Sequence, residues 1–285
     1  MSLVEGKSVI VTGSSSGIGL ATAVMFASRG SNVTVCGRDT QRVTDAVKSC
    51  EEARNKAGHS GNKIISVAGD ITDQSVIKET VEKTVDAFGQ LDVVVANHGV
   101  SMSDVDMFVD TWTPECFDAT MNSNVKSYLA LIQEAVPHLK KSRGNVVCVS
   151  SIGSSVATPS PTNYVISKAA VDHMTRCLAL QLGPNGIRIN AINPTYVPTR
   201  VLRDASDMIK MIEPVMGKVF ENEAPLQGQT SGAEEQAEVI LFLASDAARM
   251  VHGQCIIVDA GISLKGNPFN YPPVYMKYLN IPDKA

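Results

Sequence analysis

Seven short runs rich in β-branched residues alternate along the chain with longer stretches in which apolar residues recur every three or four positions. The runs are Ser8–Thr12, Asn32–Cys36, Lys63–Val67, Leu91–Ala96, Asn145–Ser150, Ile187–Ile192 and Gln254–Val258. Alternation of this kind predicts βαβ units, and hence an α/β fold with a doubly wound parallel sheet of seven strands flanked by helices. Thr113 and Pro114 open a predicted long helix between the fourth and fifth strands, and Gly144 follows its Lys140-Lys141 end. Asp39 reads as the N-cap of a helix over Thr40–Lys56, and Asn163–Leu182 is a further helical stretch. Two segments break the rhythm: Val201–Glu223, rich in Met and Ile, and the Pro- and Tyr-rich tail Gly266–Ala285.

Composition narrows the classes. With 285 residues, 44% of them hydrophobic, the chain can bury a large core, and one domain over 1–285 is expected. A formal charge of -4 argues against nucleic acid or anionic lipid as a main partner. The six cysteines show no CxxC pairing and read as reduced thiols, so no metal is expected. No basic-then-apolar leader and no membrane-length apolar run are present, so the expectation is a soluble, cytoplasmic protein.

The first run leads directly into Thr12-Gly13-Ser14-Ser15-Ser16-Gly17-Ile18-Gly19, which then opens a helix. Strand before and helix after is the context a dinucleotide cradle needs. Gly13 permits the tight turn, Gly17 lets backbone approach a pyrophosphate, and Gly19 lets helix and strand pack closely.

Tyr164 and Lys168 lie four apart in a predicted helix, thirteen positions and more after Ser151. Residues so spaced share a face, bringing an ammonium to a phenol. Bringing a phenol to half ionisation at neutral pH requires a drop of about three pKa units, or ~4 kcal/mol. One positive charge at about 4 Å in an effective dielectric of about 20 supplies that amount. Serine hydrolysis fits poorly, since the chain has no GxSxG elbow and no obvious histidine base.

Together these residues resemble the short-chain dehydrogenase/reductase family over nearly the whole chain. The matching pieces are Thr12–Gly19, Asp70, Asn97–Gly99, Asn124, Ser151, Tyr164 through Lys168, Asn193-Pro194 and Gly253–Gly261. The resemblance implies a Rossmann-like sheet of order 3-2-1-4-5-6-7, a nicotinamide cofactor, and a tetrad of Asn124, Ser151, Tyr164 and Lys168. Tyr164 would be the acid in carbonyl reduction and the base in alcohol oxidation, and Ser151 would hydrogen-bond the substrate oxygen. Lys168 would hold the nicotinamide ribose and lower the phenol pKa, while Asn124 would orient a water. Further cofactor contacts are expected from Ser15, Ser16, Ile18, Pro194, Val197 and Thr199, with Asp70 meeting the adenine and Ile71 packing on it. Relatives are commonly homotetramers or dimers, joined through the helices Glu115–Lys141 and Asn163–Leu182, so a homo-oligomer is expected.

The chain departs from the family pattern at three places. Ala96-Asn97-His98-Gly99 stands for the usual Asn-Asn-Ala-Gly, and His98 reads as a hydrogen-bonded loop histidine. Pro194-Thr195 replaces Pro-Gly, so Thr195 is expected to accept the dihedral glycine normally takes. At the end of the second strand Gly37 stands where an NAD-preferring enzyme has a carboxylate, and Arg38 follows, which favours NADP(H) over NAD(H).

The segment 195–225 corresponds to the family's substrate lid. Its Met208, Ile209, Met211, Ile212, Val215, Met216, Val219 and Phe220 recur at helical spacing, suggesting a small lipophilic ketone, aldehyde or alcohol, such as a steroid, retinoid, isoprenoid or xenobiotic carbonyl. The alternatives are an NAD-dependent alcohol or hydroxysteroid dehydrogenase and a catalytically weak nucleotide-binding regulator. The tail 266–285 would close the pocket or wrap a neighbouring subunit.

Overall fold

The computed structural model of the protein describes residues 3–101, 112–157, 161–197, 217–226 and 231–265. Seven parallel strands form one sheet in the order β3-β2-β1-β4-β5-β6-β7. They are β1 (Ser8–Val11), β2 (Asn32–Gly37), β3 (Ile64–Ala68), β4 (Val93–Ala96), β5 (Asn145–Val149), β6 (Arg188–Pro194) and β7 (Cys255–Val258). Strands β1, β4 and β5 are buried along their whole length, as continuous Val-rich runs covered on both faces require. One apolar cluster packs α1 (Gly17–Ser28), α2 (Thr40–Lys56) and α7 (Ala233–Ala244) on one face of the sheet. A second packs α3 (Gln74–Phe88), α5 (Ser127–Ser142) and α6 (Thr162–Leu182) on the other.

Helix α2 has the predicted bounds, and the Asp39 carboxylate accepts the Arg42 N–H at 3.0 Å. The helix predicted between β4 and β5 differs from expectation. It runs as α4 (Pro114–Met121), one turn of π-helix at Asn122–Lys126, and α5. The inserted residue of a π-turn breaks the regular ladder without breaking the helix, so an apolar pattern does not reveal it. The helix stops just before Gly144, whose N–H donates to the Leu139 carbonyl at 3.0 Å. Arg143 takes the left-handed conformation at φ 52°, while Gly144 stands against the Asp92 carbonyl, where no β-carbon fits.

All six cysteines are free; Cys36, Cys50 and Cys148 are buried as expected, whereas Cys177 faces outward from α6. Burial pushes each of the three buried thiols up to about 12. No helix among the described residues is long and apolar enough to cross a membrane, and no cluster of His, Cys, Asp and Glu there is arranged to hold a metal ion.

Candidate active site

The site forms where the C-terminal ends of β1, β4, β5 and β6 meet the N-terminal turns of α1 and α6, the usual ligand crevice of a doubly wound sheet. Gly13 and Gly17 adopt φ of 63° and 56°, conformations that side chains disfavour. A β-carbon on Gly13 would lie 2.9 Å from His98 Cα, and one on Gly19 would strike the Gly13 carbonyl and the Asn97 amide. Asn97 secures this loop, donating from its side chain to the Thr12 carbonyl at 2.9 Å. Ser16 precedes α1 with extended backbone and makes no side-chain cap, and Ile18 packs on the core. The first turn of α1 thus presents backbone N–H groups at a glycine-lined surface, which suits a pyrophosphate.

At the end of β2, Gly37 packs against Ser15. A β-carbon at residue 37 would stand 2.8 Å from the Ser15 hydroxyl oxygen and 3.0 Å from Val43. Arg38 is half exposed, with its guanidinium 3.9 Å from the Asp70 carboxylate. Asp70 accepts both the N–H and the hydroxyl of Thr72 at 2.9 Å, and Ile71 packs behind it. Although burial opposes it, the Asp70 pKa is held below its ordinary value by the Thr72 hydrogen bonds and then by Arg38.

The expected tetrad converges. Tyr164 and Lys168 share a face of α6, with the Lys168 ammonium 5.6 Å from the Tyr164 ring centroid and 2.8 Å from the Val149 carbonyl it donates to. The Ser151 hydroxyl accepts the Gly153 N–H at 3.1 Å and lies near enough to the Tyr164 phenol to pull its pKa down. Asn124, carried by the π-turn, is fully buried. It accepts the Val100 N–H and donates to the Val100 carbonyl, each at 2.9 Å, and donates to Ser167 Oγ at 3.0 Å. Gly99 lies between it and Lys168, where a β-carbon would sit 3.3 Å from Asn124 Oδ1 and 3.6 Å from Lys168 Nζ.

The electrostatics correct one expectation. Burial pushes the Tyr164 phenol above its ordinary value, with the Ser151 hydrogen bond pulling the other way. Lys168 is itself lowered to about 8 by burial, offset partly by Cys148 and Asp172. The ammonium donates to the Val149 carbonyl, and the cost of burying both groups was left out of the expectation.

Pro194 ends β6 and Val197 is buried just beyond it, whereas Thr199 lies outside the described residues. Thr195 is also corrected: it takes no left-handed φ, so β6 ends without the backbone conformation reserved for glycine. Of the lid stripe, only Val219 and Phe220 are described; Met208, Ile209, Met211, Ile212, Val215, Met216 and the tail 266–285 lie outside the described residues. Phe220 stacks on Tyr196 at 5.6 Å in an apolar cluster with Ile152, Ala224 and Ile262, next to Ser151.

Comparison with known proteins agrees with this geometry. A family model described as enoyl-(acyl carrier protein) reductase matches residues 13–263. The chain is 36% identical to 3-oxoacyl-[acyl-carrier-protein] reductase FabG of Thermotoga maritima over 259 residues, covering 90% of this chain and 98% of that protein. It is 33% identical to the (-)-isopiperitenol/(-)-carveol dehydrogenase of Mentha piperita over 265 residues, 90% of this chain and 93% of that one. A Caenorhabditis elegans short-chain dehydrogenase/reductase solved with cofactor superposes with TM-score 0.83 at 32% identity, over 92% of this chain and 97% of that chain. The chain belongs to the short-chain dehydrogenase/reductase family, and is an NAD(P)-dependent oxidoreductase of CH–OH and C=O groups.

Proposed function

We propose that the protein is an NADP(H)-dependent carbonyl reductase or alcohol dehydrogenase of small lipophilic substrates. The observation that carries the chemistry is the meeting of Ser151 and Tyr164 with the buried Lys168 ammonium, whose nitrogen lies 5.6 Å from the Tyr164 ring centroid. The nicotinamide, when bound, supplies or accepts the hydride. Tyr164 gives its phenolic proton to the carbonyl oxygen in reduction and takes it back in oxidation. Ser151 donates to the same oxygen as negative charge gathers on it. Lys168 holds the ribose and replenishes the proton, and Asn124 fixes the loop beneath it. Gly13, Ser15, Ser16, Gly17, Ile18 and Gly19 would hold the pyrophosphate, Asn97, Gly99, Pro194 and Val197 would border the nicotinamide, with Thr199 assigned there by its sequence position, and Asp70 and Ile71 would meet the adenine.

The NADP(H) preference is supported by Gly37, where a side chain would have to displace the Ser15 hydroxyl and press on Val43, and by Arg38 next to it. The lipophilic substrate class is supported by the Ile152, Tyr196, Phe220 and Ala224 cluster beside Ser151. The two relatives carry names of dissimilar substrates, a 3-oxoacyl-[acyl-carrier-protein] and isopiperitenol or carveol, and this apolar wall supports the lipophilic reading. Exposed Leu129 on α5 with Ile166 and Leu180 on α6 support pairing of copies through those helices, and we place the protein in the cytoplasm.

The test is Tyr164→Phe assayed against a panel of cyclic ketones and alcohols with NADPH and NADP+. Turnover should fall at least 100-fold while NADPH binding, read by fluorescence, changes less than about threefold. Full activity in the variant would remove the proposed acid.

A further inference from the structure

Behind Ser151, on the side away from the expected substrate oxygen, lies a buried polar cluster that the proposed chemistry does not use. Asp172 is on α6 one turn beyond Lys168, and Asn193 is on β6; they are 5% and 1% exposed. The Asn193 side-chain nitrogen lies 3.1 Å from the Ser151 carbonyl, 2.7 Å from Ser154 Oγ and 2.8 Å from Asp172 Oδ2. The Ser154 hydroxyl donates to the same Asp172 oxygen at 2.7 Å. The amide must present its NH2 here, because the Ser151 carbonyl and a carboxylate only accept. Three elements thereby meet on one residue: the turn after β5, helix α6 and strand β6.

A buried carboxylate is costly unless specific partners fix it, and an apolar side chain of similar size would fill the same space. What this carboxylate holds is the orientation of the Asn193 amide and the Ser154 hydroxyl, and through them the turn Ile152–Ser154. That turn is the one whose Gly153 N–H binds the Ser151 hydroxyl at 3.1 Å. The turn also starts from extended backbone at Ser151, with φ -164°, so nothing local pins the side chain except this turn and Tyr164.

We propose that Asp172 and Asn193 are positioning residues that hold the Ser151 hydroxyl in register with Tyr164. The claim rests on the catalytic reading of Ser151 given above. It acts through geometry, since neither residue reaches the expected reacting atoms.

The experiment places Asn193→Ala and Asp172→Asn in the wild-type chain and in Ser151→Ala, with carvone and NADPH as probe. In the wild-type background each variant should lower kcat about 10- to 100-fold while the NADPH KM moves less than about threefold, as expected for lost hydrogen bonds to a charged group. In Ser151→Ala the same changes should cost no further turnover, because residues acting through one group are not additive. An equal loss in both backgrounds would mean a merely structural role and overturn the proposal. So would wild-type kcat in Asn193→Ala. Amide exchange supplies a readout independent of turnover: Asn193→Ala should speed exchange at Gly153 about tenfold while the β5 amides keep their protection, and unchanged exchange at Gly153 would overturn the proposal. Equal turnover by wild type and Ser151→Ala would instead defeat the catalytic reading of Ser151, leaving the exchange result to decide whether the cluster holds the turn.

Discussion

Gly37 and Ser15 are in contact across the cofactor loop, and a β-carbon on Gly37 would stand 2.8 Å from the Ser15 hydroxyl oxygen. The place where a ribose-binding carboxylate would stand is thus narrowed by packing against Ser15 and Val43. Gly37→Asp alone should therefore weaken NADPH binding more than tenfold without a matching gain for NADH. Adding Ser15→Gly should recover NADH binding, because it clears the space. Arg38→Ala should weaken NADPH about tenfold and leave NADH within threefold, as loss of a phosphate contact predicts. Titrations of each variant with both cofactors check this, and equal weakening of the two by Arg38→Ala would contradict the preference.

The Tyr164 phenol is raised by burial, so at neutral pH it is protonated and poised to donate. Reduction should then be nearly flat from pH 6 to 8, whereas kcat/KM for oxidation should climb with pH well into the alkaline range. An oxidation profile already level below pH 7 would mean a depressed phenol instead. Profiles in both directions on one substrate pair distinguish the two outcomes.

The seven strands and the α2 cap were legible because burial on both faces of a parallel sheet imposes continuous apolar runs, and Asp39 has a single local job, whereas the strand order came from the family resemblance. Tyr164 and Lys168 were legible because four residues make one helical turn. The π-turn under Asn124 was not, since one extra residue barely changes apolar spacing. Asp172 and its pairing with Asn193 escaped for a different reason: a polar residue on a helix looks solvent-facing until the fold brings a partner 21 positions away to it. The sign of the Tyr164 shift was missed because pairwise attraction was counted without the cost of burying both groups.

Lys168 is nearly fully buried and lowered to about 8 from 10.5, chiefly by burial. A base with a depressed folded pKa costs stability below that value, and the cost is relieved as pH rises from about 8 toward 10.5. The shift corresponds to about 3 kcal/mol at neutral pH. Lys168→Met should therefore be more stable than wild type near pH 7, by up to that amount, and the gap should narrow by pH 10. Thermal melts of the cofactor-free proteins across this range test it. A gap that does not change with pH would mean that the lysine is not depressed.

His98 bridges the cofactor loop and the π-turn. Asn97 N–H donates to Thr12 Oγ1 at 3.0 Å, and the threonine proton has two acceptors in reach, His98 Nδ1 at 2.7 Å and the Val95 carbonyl at 3.2 Å, of which the ring nitrogen is the nearer. His98 Nε2 then donates to Ser127 Oγ at 2.7 Å, whose own proton goes to the Ser123 carbonyl at 2.6 Å. Both ring nitrogens are used by a neutral imidazole, and burial, followed by the Lys168 charge, lowers its pKa to about 3. The unfolded chain protonates near the ordinary 6.5, so folding loses stability as pH falls from 6.5 toward 3. At pH 5 this histidine alone should cost about 2 kcal/mol relative to neutral pH. His98→Gln should be less stable than wild type at pH 7, since it cannot reach both hydroxyls equally well, yet should lose less on acidification. Denaturant melts at pH 7 and pH 5 on both proteins measure the difference; parallel losses would show that protonation of His98 is not linked to unfolding.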